Sequence, residues 1–371
     1  MRSVFDGYNK IDTSGETTFF AGANTGHGFS GCYRDIADER RLDRVYIIKG
    51  GSGTGKSTFI RRAARAASDA GFGVEYYLCG SDPYSLDCAV FDNRIAILDG
   101  TAPHVHEMTY PGASSELLDV TKFWNSDILS SYRQKISTHS DSKKALYSAA
   151  YRYLSAADTI DSERNALSEI LFDREKANAF VSRHLQKLLH IKKPLDTESG
   201  SAVNRFDHAI TMRGLYYVSD YFEYDTFYHV NDKFSVACLF MELLLKRLSE
   251  AGYDLLVCRI PAGYISKIAL PFHGIAFGVT EPEAACTVKR INMERFIHDD
   301  NQLPDGVRGQ IRLAARIAES CLSEASRNLS AASEHHFALE EIYKSAMDFD
   351  SLENYSMHVC GDIVRRLKRG Y

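Results

Sequence analysis

Nowhere does the chain carry an apolar run long enough to cross a bilayer. Its most apolar stretch, Val236 to Leu245, is short and contains Glu242. The opening Met1-Arg-Ser-Val-Phe-Asp-Gly-Tyr8 has neither an apolar segment nor a small-residue cleavage site, so no secretory signal is expected. No two of the eight cysteines form a CxxC pair, which argues against metal and disulfide frameworks and for reduced thiols in the cytoplasm. Positive charge is not in excess either: 44 Lys and Arg against 49 Asp and Glu leave a net charge of −5. That balance gives no drive toward nucleic acid or an anionic membrane, and neither partner is expected. What is there is an ordinary globular composition, 44% apolar and 25% charged, in 371 residues, a length that suits two domains.

One segment carries specific chemistry. Arg44-Val-Tyr-Ile-Ile-Lys49 is a β-branched and aromatic run that reads as a buried strand. It leads into Gly50, Gly51, Ser52, Gly53, Thr54, Gly55, Lys56, Ser57 and Thr58, and then into the helix-forming Phe59-Ile-Arg-Arg-Ala-Ala-Arg-Ala-Ala67. Gly50, Gly55, Lys56 and Ser57 fill the GxxxxGK[ST] pattern between a strand and a helix, as a phosphate loop requires. Glycines let backbone N–H groups turn toward phosphate oxygens, and the helix N-terminus favours an anion. Lys56 is then expected to meet the β- and γ-phosphates of ATP, and the Ser57 hydroxyl to ligate Mg²⁺. The pattern would arise by chance in roughly one chain of this length in a hundred, and the correct flanking elements make chance rarer still.

A second requirement is an acidic residue at a neighbouring strand end. Arg94-Ile-Ala-Ile-Leu-Asp99 supplies it, so Asp99 is expected to hold Mg²⁺ beside Ser57; capping of the following turn is the plainer alternative. No glutamate follows Asp99, so the acidic pair that activates water in many ATP motors is missing. Ser81, Asp82, Ser85 and Asp87 follow another strand end, and His104 and His106 follow the Asp99 strand. Asp82 and His104 are candidate contacts to a second substrate, although Ser-Asp-Pro and Thr-Ala-Pro-His are also natural turns. Arg61, Arg62 and Arg133 could supply transition-state charge, with nothing in the sequence to choose among them.

The two halves repeat one another. Asp43-Arg-Val-Tyr-Ile-Ile-Lys49 has a counterpart in Asp225-Thr-Phe-Tyr-His-Val-Asn231, and Ser68-Asp-Ala-Gly-Phe72 in Ser249-Glu-Ala-Gly-Tyr253. The chemistry does not repeat. Where the first half has its loop, the second has Asn231-Asp-Lys-Phe-Ser-Val-Ala-Cys238 without a glycine, and Val279 stands for Asp99. Asp232 is expected to repel phosphate there. Apolar spacing predicts helices from about 126 to 190, from 309 to 346 and from 352 to 368, each half ending in a helical hairpin, with 192–204 as a linker.

These residues resemble an uncharacterised bacterial family of duplicated P-loop ATPases. The likeness covers nearly the whole chain and is strongest in Phe20-Ala-Gly-Ala-Asn-Thr25, Lys49 to Thr58, Ser81 to Asp87, Ala96 to His104, Tyr110-Pro-Gly-Ala113 and Ala150 to Ala157. It implies ATP binding through Gly50 to Thr58 with Asp99 on the metal, and no particular reaction. The expected fold is therefore α/β, a duplicated P-loop parallel sheet with a helical hairpin on each half: a nucleotide-binding domain over 1–191 and a degenerate one over 205–371. The leading expectation is Mg²⁺-dependent ATP hydrolysis coupled to conformational change. A small-molecule or nucleotide kinase, and a non-enzymatic nucleotide-gated module that engages a protein partner, remain alternatives.

Overall fold

The structure, a computed structural model, describes residues 9–11, 16–102, 106–188, 200–218, 224–282 and 286–369. His104 and most of the expected 192–204 linker lie outside the described residues. Twelve strands form one continuous sheet. Those of the first half are β1 (Thr18–Phe20), β2 (Arg44–Lys49), β3 (Val74–Leu78), β4 (Leu86–Phe91), β5 (Ile95–Asp99) and β6 (Ser115–Asp119). The second half contributes β7 (Ala202–Phe206), β8 (Thr226–Asn231), β9 (Leu255–Arg259), β10 (Ile265–Leu270), β11 (Ile275–Gly278) and β12 (Thr287–Asn292). Their order is β12-β8-β11-β10-β9-β7-β1-β3-β4-β5-β2-β6. Outward from the centre, the two six-strand runs therefore have the same connectivity. They meet edge to edge, β1 antiparallel to β7, at Phe20 and Phe206.

The sheet is mixed, which corrects the expected parallel one. β4 and β10 run against both of their neighbours. β4 turns back into β5 through Asp92 and Asn93, at φ 48° and 54°. Short polar side chains tolerate such left-handed positions, and they suit a tight hairpin between right-twisted strands. The register shifts at matching places, between Tyr77 and Leu78 and between Cys258 and Arg259. Two small hairpins flank the centre, Gly22–Thr25 with Gly28–Gly31 and His208–Thr211 with Gly214–Val218. In both, a threonine closes the turn: Thr25 Oγ1 donates to Gly28 O at 2.7 Å, and Thr211 Oγ1 to Gly214 O at 2.9 Å.

Six long helices complete the fold: α1 (Lys56–Asp69), α2 (Arg133–Leu171), α3 (Arg174–Leu188), α4 (Val236–Glu250), α5 (Val307–Ser345) and α6 (Phe349–Arg369). The sequence pattern marks these helical stretches but leads to a different arrangement, two hairpins each on its own half. Instead α2 and α5, both 39 residues long, pack along one another. Each delivers the following helix to the opposite half. Ala177 and Val181 of α3 join Val236, Phe240 and Leu244 of α4 in one core, while Val359, Ile363 and Leu367 of α6 join Phe59, Ile60 and Ala63 of α1 in another. The joints match: Asp173 N donates to Phe296 O and Asp348 N to Phe123 O, both at 2.8 Å. Asp173 and Asp348 then cap the helices that follow, accepting from Lys176 N at 2.9 Å and Ser351 N at 3.0 Å. Among the described residues no helix is long and apolar enough to cross a membrane.

Because α6 covers α1, the last helix of the chain stabilises the first half. Ile363 is fully buried in that seam, so Ile363→Ala should cost about 2–5 kcal/mol in urea unfolding followed by circular dichroism. A loss below about 1 kcal/mol, the range of an uncritical surface change, would mean that α6 is not a core helix.

Candidate functional site

The glycine-rich loop lies between β2 and α1, at the sheet edge where β5 and β6 also end. Gly53 and Gly55 take φ 69° and 85°. Gly55 is the N-cap of α1, and this left-handed geometry is why glycine stands at those two places. Gly50 N donates to Thr101 Oγ1 at 3.2 Å, whereas the N–H groups of Gly51 to Gly55 donate to no acceptor among the described residues. Thr54 is buried and donates its hydroxyl to Gly51 O at 2.8 Å, which holds the loop closed on itself. Lys56 Nζ folds over the loop and donates to Gly50 O at 3.2 Å and Gly51 O at 2.5 Å. Ser57 Oγ accepts from Leu86 N at 2.9 Å, and Ser52 and Thr58 sit on the loop's outer side, half-buried and exposed respectively.

Asp99 ends β5 in register with Ile48 of β2. Its two oxygens divide the two roles expected of it. Oδ1 accepts from Thr101 N at 2.8 Å and caps the turn, while Oδ2 lies 3.5 Å from Lys56 Nζ. Thr101 Oγ1 also donates to Gly50 O at 2.9 Å, so the end of β5 is tied to the start of the loop. On the other flank of β2, Asp119 ends β6 opposite Lys49 and binds the N–H and hydroxyl of Thr121. A metal here would find one hydroxyl and one carboxylate. No group of three His, Cys, Asp or Glu that could hold a metal occurs among the described residues. That sparse, all-oxygen donor set fits Mg²⁺, which keeps waters and phosphate oxygens in its shell, better than a metal that needs a protein cage.

Helix α5 lies against the loop. A Cβ on Gly51 would come 3.0 Å from the Tyr343 ring, and one on Gly53 would fall 2.6 Å from Glu340 O. Tyr343 in turn packs on Trp124, with ring centroids 5.8 Å apart. Glu340 lies 3.4 Å from His336 Nε2 and 3.3 Å from Lys344 Nζ, and the bond from His336 together with the Lys344 charge holds its carboxyl below the usual range. From α2, Lys143 Nζ reaches His336 Nδ1 at 3.2 Å.

The corresponding loop of the second half is shorter and already filled. Ser235 takes φ 60° as the N-cap of α4, the role Gly55 plays for α1. Asp232 was expected to repel phosphate. Its carboxylate sits on the N-terminus of α4, accepting from Phe234 N at 3.1 Å and facing the N–H groups of Val236 and Ala237. Burial pushes its pKa up to about 6 in spite of those donors. Lys233 turns away to Glu294, 2.6 Å distant. Ser168 of α2 donates to Phe234 O at 2.8 Å, so α2 touches this loop as α5 touches the other. Val279 follows β11 where Asp99 ends β5.

The remaining sequence candidates are spread out. Asp82 pairs with Arg213 Nε at 2.8 Å. His106 is buried, and burial pulls its pKa down. Asp87 accepts from Tyr33 Oη at 2.9 Å. Arg62 is engaged with Glu353 at 2.7 Å and with Ser356, and Arg61 with Tyr84 O. Sequence reasoning missed Thr101, Asp119, Lys143, His336, Glu340 and Tyr343 at the loop. Only Asp119 had a local signal, the apolar Leu117-Leu118 before it.

No family model, curated protein or solved structure matches the chain.

The filled loop has a pH signature. The Asp232 carboxyl titrates near 6 in the fold against an ordinary 3.8. A raised acid contributes full stability below about pH 4 and loses it as pH rises through about 6. Two units correspond to about 3 kcal/mol. In urea titrations Asp232→Asn should therefore gain on the wild type by up to about that much between pH 4 and 7. Parallel stability curves would show that Asp232 is not buried on α4.

Proposed function

We propose that the chain is a Mg²⁺-dependent ATP-binding P-loop NTPase that hydrolyses ATP and couples the reaction to its paired long helices. The observation that carries this reading is the junction of β2 and α1. Unpaired N–H groups from Gly51 to Gly55 lie under the Lys56 ammonium, and a carboxylate ends the adjacent strand. Backbone donors at a helix start favour a polyphosphate, and Lys56 supplies the point charge for its terminal groups. Bound Mg²⁺ would neutralise charge on the β- and γ-oxygens. Ser57 and Asp99 would hold it through their oxygens, and Thr101 keeps Asp99 turned toward the loop. Water adds to the γ-phosphorus as the bond to the β–γ bridging oxygen breaks, giving ADP and phosphate.

Matching strand order, register shifts, threonine-closed turns and helix joints support a duplicated origin for the two halves. The Asp232 carboxylate, on the helix start where a phosphate would sit, supports one nucleotide per chain. Coupling follows from α5 resting on Gly51 and Gly53. Cysteines that are free throughout support a cytoplasmic setting.

Calorimetry with Mg-ATP should give one site per chain. Lys56→Ala should abolish binding with melting unchanged, because the ammonium touches loop carbonyls and not the core; unchanged affinity would refute the site. For Asp99→Asn, turnover should fall more than affinity, so equal hydrolysis at saturating Mg²⁺ would remove Asp99 from the metal. Phosphorus NMR with pooled metabolites separates hydrolase from kinase: free phosphate supports hydrolysis, and a new phosphoester lost in Lys56→Ala would replace it with phosphotransfer.

A further inference from the structure

The reading of the loop as an ATPase site leaves its transition-state cation unassigned, since Arg61 and Arg62 are engaged elsewhere and Arg133, the first residue of α2, is exposed. We propose that Lys143 of α2 is that cation, meeting the γ-phosphoryl group from the side opposite Lys56. This rests on the proposed function and adds a residue that no motif contains.

Three observations converge on Lys143. Its position is the first: on the long helix that packs along α5, its Nζ lies 5.9 Å from the ring centroid of Tyr147, one turn on, and the Lys56 charge reaches it. Its Nζ also lies 3.2 Å from His336 Nδ1, on the helix turn that leads to Glu340 and the loop. The second is its charge environment. Burial, and to a lesser degree the Lys56 charge, pull its pKa down, and the Glu340 and Cys79 groups only partly offset this. Glu340 is itself engaged by His336 and Lys344, and the Cys79 thiol is kept neutral by burial. Lys143 makes no carboxylate ion pair among the described residues, the Lys56 charge adds a small repulsion, and an anion between the two ammonium groups would be attracted by both. The third is the loop below, whose free N–H groups would bring such an anion to Lys56.

In the reaction, the electron pair of the cleaved P–O bond goes to the ADP oxygen, and the water proton ends on phosphate or solvent. Lys143 gives up no proton. Its charge offsets the negative charge on the γ-oxygens as the bond breaks, which an arginine finger does in other NTPases. Because α2 also reaches the Asp232 loop through Ser168, the same helix would register phosphate loss at one end and the second half at the other.

The test uses the full chain as wild type, Lys143→Met, Lys143→Arg and Lys56→Ala. Three readings are taken: equilibrium binding of a fluorescent ATP analogue, single-turnover hydrolysis, and the gain in ADP affinity on adding aluminium fluoride, which mimics the transferring phosphoryl group. Lys143→Met should bind the analogue within about three-fold of wild type, hydrolyse about 100-fold more slowly or worse, and lose the aluminium fluoride gain. Lys143→Arg should recover part of both. If the Met variant fails to fold by circular dichroism, Lys143→Gln takes its place with the same expected and the same overturning outcomes. Hydrolysis by Lys143→Met within two-fold of wild type overturns the assignment. So does a loss of binding as large as in Lys56→Ala, which would make Lys143 a ground-state ligand, and so does a wild type that binds ATP without any fluoride gain. A wild type that binds no ATP removes the ATPase reading and this inference with it.

Discussion

A helix that starts just beyond a buried strand exposes several N–H groups with no partner of their own, and the surroundings must supply negative charge. α1 and α4 both begin this way, each after a left-handed N-cap residue, Gly55 or Ser235. The second half answers from within its own chain, with the Asp232 carboxylate at the price of a strongly desolvated acid. The first half offers no acid of its own to the loop's N–H groups. Its nearest carboxylate, Asp99, is turned to Thr101 N and to Lys56. One constraint, met internally in one half and by bound phosphate in the proposed reading of the other, would account for why the two loops differ in length, in glycine and in lysine.

The crossing of the helical arms follows from what each half leaves uncovered. α1 carries the apolar Phe59, Ile60, Ala63 and Ala67, and α4 carries Phe240 and Leu244, in cores that the sheet alone does not close. α3 and α6 cover them, but from the opposite halves, so neither half completes its core alone. At 1.5 Å per residue, α2 and α5 are each about 58 Å long. Each therefore spans from its own half to the other's loop, α5 to Gly53 and α2 to Phe234. A shift at the first loop would press on α5 directly, and the packed pair would carry it to the Asp232 loop.

Features confined to a few consecutive residues were legible in the sequence. The β2–loop–α1 unit, the Asp99 strand end and the lack of a glycine-rich second loop each depend on short-range pattern, and the register sets Val279 where Asp99 would be. The antiparallel β4 was legible but overlooked: Asp92-Asn93 between the apolar runs Leu86–Phe91 and Ile95–Leu98 is a hairpin signal. The arm crossing was not legible. Periodicity identifies the apolar face of α6 but not which helix buries it, and a hairpin on its own half satisfies the same pattern. The place of Asp232 was not legible, because charge alone says that a carboxylate repels a phosphate and not that it can occupy a helix N-terminus itself. Lys143, His336 and Glu340 are ordinary helix residues whose meaning arises only when α2 and α5 meet over the loop.

The same electrostatic logic runs through both loops with opposite signs. At the second loop, a buried carboxylate is raised by desolvation and eased by backbone donors and by Arg164, which is itself almost fully buried and held by Asp161 at 2.6 Å. Negative charge is thus present and positive charge is brought to it by α2. At the first loop the polarity is reversed: the cations Lys56 and Lys143 are in place, Lys56 with only Asp99 at 3.5 Å among the described carboxylates and Lys143 desolvated, while Glu340 is held by His336 and Lys344. A fold built from two similar halves would gain nothing from such asymmetry if both loops were only structural, because a second internal acid would neutralise the first loop as well. An open cluster of donors and cations costs stability unless an anion occupies it, and that cost, absent from the second loop, is what bound phosphate would offset in the proposed reading.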